Sequence, residues 1–114
     1  MTLKGLVVKG QGLGAKLGFP TANVAFDGAV PERGVWEVNT LGRRAVCNVG
    51  VRPTVDGSGK LTVEVHIPGF SGDLYGQRLT IVFVRKIREE KKFGSVEELK
   101  AQIARDVSTL GQQR

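Results

Sequence analysis

Cysteine is nearly missing from this chain: Cys47 is the single one in 114 residues. A lone thiol excludes a disulfide framework, a redox pair and a zinc knuckle. Its place in the apolar run Ala45-Val46-Cys47 suits a reducing compartment. Histidine is equally scarce, with His66 alone, so a metal site of clustered imidazole and thiolate ligands cannot be built. Long apolar runs are lacking too. The longest near the start, Gly5 to Val8, falls far short of a signal-peptide core, and nothing approaches the roughly 20 apolar residues of a membrane span. The expectation is a cytoplasmic protein with no membrane partner. Acidic residues are in deficit, 11 against 17 lysines and arginines, for a net charge of +6. That balance favours anionic partners: nucleic acid, acidic lipid or a phosphorylated small molecule.

What is present points to one domain, residues 1–114, folded throughout, since 40% hydrophobic and 25% charged residues match an ordinary globular chain. Apolar residues recur with a period of two up to about residue 88. The alternation predicts strands at Leu3–Lys9, Asn23–Phe26, Gly34–Asn39, Arg44–Val49, Leu61–Ile67 and Arg78–Lys86. Between the fourth and fifth, Val55-Asp56-Gly57-Ser58-Gly59-Lys60 tolerates positive φ and predicts an antiparallel hairpin. The period then changes. Ser95 with Glu98 forms a capping box, Val96, Leu99, Ile103, Val107 and Leu110 recur at helical spacing, and Gly111 supplies a stop, so a helix is predicted over 95–110. Short strands, glycine-rich turns and a terminal helix suggest a small antiparallel barrel whose helix covers an open side.

Near the start, "GLGAKLGFPTAN" packs glycines, a lysine and a rigid proline into twelve positions. Gly10, Gly12 and Gly14 allow backbone N–H groups to converge on an anion, and Lys16 adds a point charge. The same stretch also reads as a plain surface turn. A P-loop is excluded because Lys16 follows Ala15 and precedes Leu17, and a dinucleotide fingerprint is excluded because Gly18 and Pro20 leave no room for its helix. Pro20 keeps the chain extended, so Thr21 and Asn23 project to one side. Two hard oxygens together suit Mg²⁺, completed by phosphates and water; they also suit a strand-start cap. In "LTVEVHI", Leu61, Val63, Val65 and Ile67 share the core face, and Thr62, Glu64 and His66 the other. Glu64 or His66 could take a proton from a hydroxyl nucleophile; both also read as ordinary surface residues.

The order "GLGAKLGFPTAN", "PERGVWEV", "NVGVRPT", "VEVHIPGFSGDLYGQ" and "IREEKKFGSVEELKAQI" resembles the riboflavin kinase family, in particular the kinase module of bacterial flavin-synthesis enzymes, over roughly residues 5 to 107. The resemblance implies a mainly β fold, a six-stranded antiparallel Greek-key barrel with a C-terminal α-helix. It implies transfer of the γ-phosphate of ATP to the 5′-hydroxyl of riboflavin, giving FMN and ADP. On that reading Thr21 and Asn23 hold Mg²⁺ and the phosphates, Gly10, Gly12, Gly14 and Lys16 close over the nucleotide, and Glu64 is the base on the ribityl hydroxyl. Arg88 and Phe93 belong to a flap over the flavin, and His66 is structural. Pro68-Gly69-Phe70 stands where many members read Leu-Asp-Phe, and Trp36 where Tyr is common, a change of packing more than of chemistry. Bacterial members usually carry an N-terminal adenylyltransferase, for which these 114 residues have no room. A basic barrel binding single-stranded nucleic acid is the competing expectation. It would need exposed aromatics clustered along a groove, whereas Phe19, Phe26, Trp36, Phe70, Tyr75, Phe83 and Phe93 are scattered. A non-catalytic flavin-binding homologue would lack FMN formation.

Overall fold

The computed structural model describes residues 1–8, 21–52, 55–70 and 73–111. Among them run β1 (Thr2–Val8), β2 (Thr21–Phe26), β3 (Gly34–Thr40), β4 (Arg43–Arg52), β5 (Lys60–His66), β6 (Arg78–Arg88) and the helix α1 (Val96–Ser108). The strands close into an antiparallel barrel in the order β1-β2-β5-β4-β3-β6. Strands β3, β4 and β5 follow one another as neighbours, and β6 returns to lie beside β3, which is the Greek-key arrangement. The β4–β5 hairpin forms as its turn residues predict, with Gly57 at φ 81° and Gly59 at φ 80°.

Alternation fills the barrel from every strand. Leu3 and Val7, Ala22 and Val24, Val38, Ala45, Cys47 and Val49, Val63 and Val65, and Leu79, Ile81 and Phe83 form one buried cluster. The pattern fails at its margins. Leu61, assigned to the core face, is 43% exposed at the start of β5, and Val82 and Val84 point outward from β6. Strand β4 runs three residues past its predicted end because Gly50, Val51 and Arg52 pair with Thr62, Leu61 and Lys60. Strand β6 continues to Arg88, opposite Val35.

The expected open side does not exist. β1 bonds to β6 and β2 to β5, so the wall is already complete, and α1 lies against its outside. Ser95 caps the helix, its hydroxyl accepting from the Glu98 N–H at 3.2 Å, while the Glu98 carboxylate accepts from the Gly94 N–H at 2.9 Å. Of the predicted apolar stripe, Ile103 is buried, Leu99, Val107 and Leu110 are half-buried and Val96 is exposed. Charged and polar groups share the contact. Arg88 grips Asp106 through two bonds of 2.9 and 2.8 Å, and Gln102 donates to the same carboxylate at 3.0 Å. Beyond the helix, Glu37 pairs with Arg85 at 3.1 Å and accepts from the Gly111 N–H at 3.0 Å, and Arg85 donates to the Thr109 carbonyl at 2.7 Å.

Candidate active site

Strands β2 and β5 pair in a register that sets Thr21 opposite His66 and Asn23 opposite Glu64. Because Ala22, Val24, Val63 and Val65 face the core, these four polar residues share the outer face of the wall, each half-buried. Thr21 Oγ1 and His66 Nδ1 are 2.8 Å apart. Strand β4 flanks β5 on its other side and places Asn48 opposite Glu64 and Val46 opposite His66. Side chains opposite one another on adjacent strands are near neighbours, with Cβ atoms about 5 Å apart. Glu64 therefore stands between two amides, Asn23 and Asn48, one on each side.

On the β4 side the outer face is roofed. A cleft of about 280 Å³ has Asn48, Glu64 and His66 in its floor, Leu99, Ile103 and Asp106 of α1 along one wall, and Arg88, Glu90, Lys91 and Phe93 along another. Val35 and Val46 add apolar surface beneath. The segment after β6 is held over β4 by Glu90, which pairs with Arg33 at 3.0 Å. The Glu90 carboxylate lies against Gly50 of β4, in the space that a Cβ there would enter. An apolar cleft with a few convergent polar groups is the usual form of a small-molecule site.

Burial pushes the His66 imidazole down to about 4, opposed in part by the nearby Asp106 carboxylate, so it is neutral at pH 7. Burial, with the Glu64 charge as a smaller cause, pushes the Cys47 thiol far up. Such a thiol is inert. The donor set on β2 and β5, a hydroxyl, an amide and a carboxylate, is one of hard oxygens and suits Mg²⁺ better than a softer metal. Among the described residues, no three His, Cys, Asp or Glu side chains group as a metal cage, so an ion here needs phosphate oxygens or water to complete its shell.

The structure thus brings together Thr21, Asn23 and Glu64, and lines the adjoining cleft with Arg88 and Phe93. Gly10, Gly12, Gly14 and Lys16 lie outside the described residues. Sequence reasoning missed Asn48, Leu99, Ile103 and Asp106. The Asn48 signal was its place between inward Cys47 and Val49, but which strand it would neighbour is not a local property. The Trp36 ring meets Phe83 edge-on at 5.7 Å and its Nε1 donates to the Glu32 carbonyl. In the divergent Pro68-Gly69-Phe70 stretch, Phe70 packs on the core with the Arg43 guanidinium 5.9 Å from its ring centre. Tyr75 is the one exposed aromatic among the described residues, so no stacking platform for bases is formed there. Nor is any described helix long and apolar enough to cross a membrane.

A few polar groups beside a roofed apolar cleft fit a small-molecule site, and comparison with known proteins gives the family. The riboflavin kinase family model matches residues 1–113. The chain belongs to the riboflavin kinase family. It is 47% identical over 111 residues to a bifunctional riboflavin kinase/FMN adenylyltransferase from Pseudomonas fluorescens, covering 93% of this chain and 36% of that protein. Among solved structures, riboflavin kinase from Trypanosoma brucei superposes with a TM-score of 0.68 at 28% identity, over 94% of this chain and 74% of the other. A protein from Streptococcus pneumoniae described as a macrolide-efflux protein superposes with a TM-score of 0.88 at 31% identity, over 99% of this chain and 39% of the other. The chain spans about a third of the length of the first curated relatives it matches. Kinases of this family use ATP and a divalent metal ion.

Proposed function

We propose that this chain is a riboflavin kinase domain, residues 1–114 forming one domain that transfers the γ-phosphate of ATP to the 5′-hydroxyl of riboflavin. The observation that carries the reading is the position of Glu64, between the Thr21/Asn23 pair on β2 and the cleft over β4. The flavin ring occupies the cleft against Phe93, Leu99 and Ile103, with Arg88 at its wall, and the ribityl chain runs down to Glu64. Thr21 and Asn23 hold the phosphate side, and Gly10, Gly12, Gly14 and Lys16, just upstream in sequence, cradle the nucleotide through backbone N–H groups. A bound Mg²⁺ supplies neutralisation of charge on the phosphate oxygens.

Phosphoryl transfer asks chiefly for in-line positioning, since little covalent work falls to the protein. Glu64 orients the primary alcohol and accepts its proton as the new O–P bond forms and the bond from the γ-phosphorus to the bridging oxygen breaks, releasing ADP. Asn48, beside the carboxylate, adds a donor and an acceptor for the ribityl hydroxyls. A cytoplasmic setting suits the unpaired Cys47. The second, FMN adenylyltransferase activity in the relatives' names is not part of the proposal for these 114 residues. Incubation with riboflavin, ATP and Mg²⁺, followed by chromatography, is expected to give FMN and no FAD. Absence of FMN with every common nucleoside triphosphate would overturn the kinase reading, and FAD from pure protein would overturn the single-activity one.

A further inference from the structure

We propose that His66 is a positioning residue for Thr21, its Nδ1 accepting the Thr21 hydroxyl proton and so turning the oxygen lone pairs toward a divalent cation. The inference rests on the reading of Thr21 as a metal ligand. A hydroxyl that ligates a cation keeps its proton, and that proton must point away from the ion and find an acceptor. Nδ1 lies 2.8 Å from Oγ1. Thr21 and His66 are directly paired across β2 and β5, so the backbone register sets the two side chains beside one another. Both stand at strand ends, Thr21 first in β2 and His66 last in β5, where a free hydroxyl would otherwise rotate among its wells.

The residue type fits the task. A carboxylate at position 66 would bind the cation itself, whereas an imidazole nitrogen already engaged by the hydroxyl orients without competing. The ring is half-buried in the cleft floor, opposite Val46 on β4. Partners of this kind, acting through a metal ligand, are typically worth about 10- to 100-fold in metal affinity.

The test uses the full chain with His66→Leu, which removes the acceptor, and His66→Asn, whose amide oxygen takes the place of Nδ1. ADP binding is measured by calorimetry with Mg²⁺ and with chelator, and FMN formation is titrated with Mg²⁺. His66→Leu is expected to raise the Mg²⁺ concentration for half-activity about 10-fold or more, leaving metal-free ADP affinity unchanged. His66→Asn is expected to restore most of the loss. Equal loss of ADP affinity with and without Mg²⁺, or His66→Asn behaving like His66→Leu, would overturn the proposal. If His66→Leu does not fold, His66→Gln, which fills the space but moves the acceptor, is read in its place. Thr21→Ala separates the two levels. If it leaves the Mg²⁺ dependence unchanged, the ligand reading and this inference both fall; if it shifts that dependence while His66→Leu does not, only this inference falls.

Discussion

The proposed roles of Glu64 and His66 each give a measurable outcome. Glu64→Gln keeps shape and hydrogen bonding but cannot take the hydroxyl proton. It is expected to lower kcat by about 10² to 10⁴, or roughly 3 to 5 kcal/mol of barrier, with KM for riboflavin and ATP nearly unchanged. A comparable rise in KM would make Glu64 a binding residue instead. His66 makes a prediction about stability. Its folded value of about 4 lies below the ordinary 6.5, so the unfolded chain binds a proton that the folded chain refuses. The neutral ring's contribution is therefore complete above pH 6.5 and is lost as pH falls toward 4, by roughly 3 kcal/mol at most. The charged groups that line the cleft with the ring are Glu64 on β5, Asp106 on α1, Arg88 on β6 and Glu90 and Lys91 after it. Urea unfolding of the metal-free chain and of His66→Asn between pH 7 and 4 isolates the imidazole: the difference between the two is expected to narrow in acid.

At the scale of elements, α1 is bound to the barrel by an ion pair as well as by apolar contact. Asp106 is 2% exposed and takes both ends of the Arg88 fork as well as the Gln102 amide. Asp106→Ala leaves a guanidinium without its carboxylate in a nearly closed site, which typically costs about 3 to 5 kcal/mol. It also loosens the cleft wall, so thermal unfolding is expected to shift downward and riboflavin KM to rise while ADP affinity holds. Here the limits of the sequence become physical. Period-two alternation marked all six strands, and the capping box and stripe marked the helix, because those signals are local. The stripe hid Gln102 and Asp106, since a buried carboxylate is intelligible only once Arg88 stands across from it. Likewise the two halves of the site are legible only separately, Thr21/Asn23 as side chains projecting to one side after Pro20 and Glu64/His66 as the polar face of a strand. That β2 would lie against β5 and bring them face to face was settled by a pairing 41 to 45 residues long in sequence, which no local pattern encodes.

For the molecule as a whole, the ladder that completes the barrel joins Thr2 to Val82 and Leu3 to Ile81, residues 80 and 78 positions apart in sequence. Contacts of such long range must be reached by closing large loops before they contribute. Refolding is accordingly expected on the scale of about milliseconds to seconds rather than microseconds. Trp36, the only tryptophan and packed on Phe83 of β6, provides a stopped-flow fluorescence signal for the β3–β6 contact. Submillisecond recovery of that signal and of full β-sheet dichroism together would contradict it.

Closure of the wall also governs what happens between molecules. An open sheet ends in strands whose unpaired N–H and C=O groups invite a neighbouring chain to add on. Here each of the six strands is bonded on both flanks, so the folded barrel offers no template for addition, and its surplus of positive charge adds mutual repulsion. Fibre growth is thus tied to opening one of the ladders that close the barrel. Concentrated solutions at neutral pH should stay free of thioflavin-positive material, and mild denaturant that parts a ladder should be what starts it.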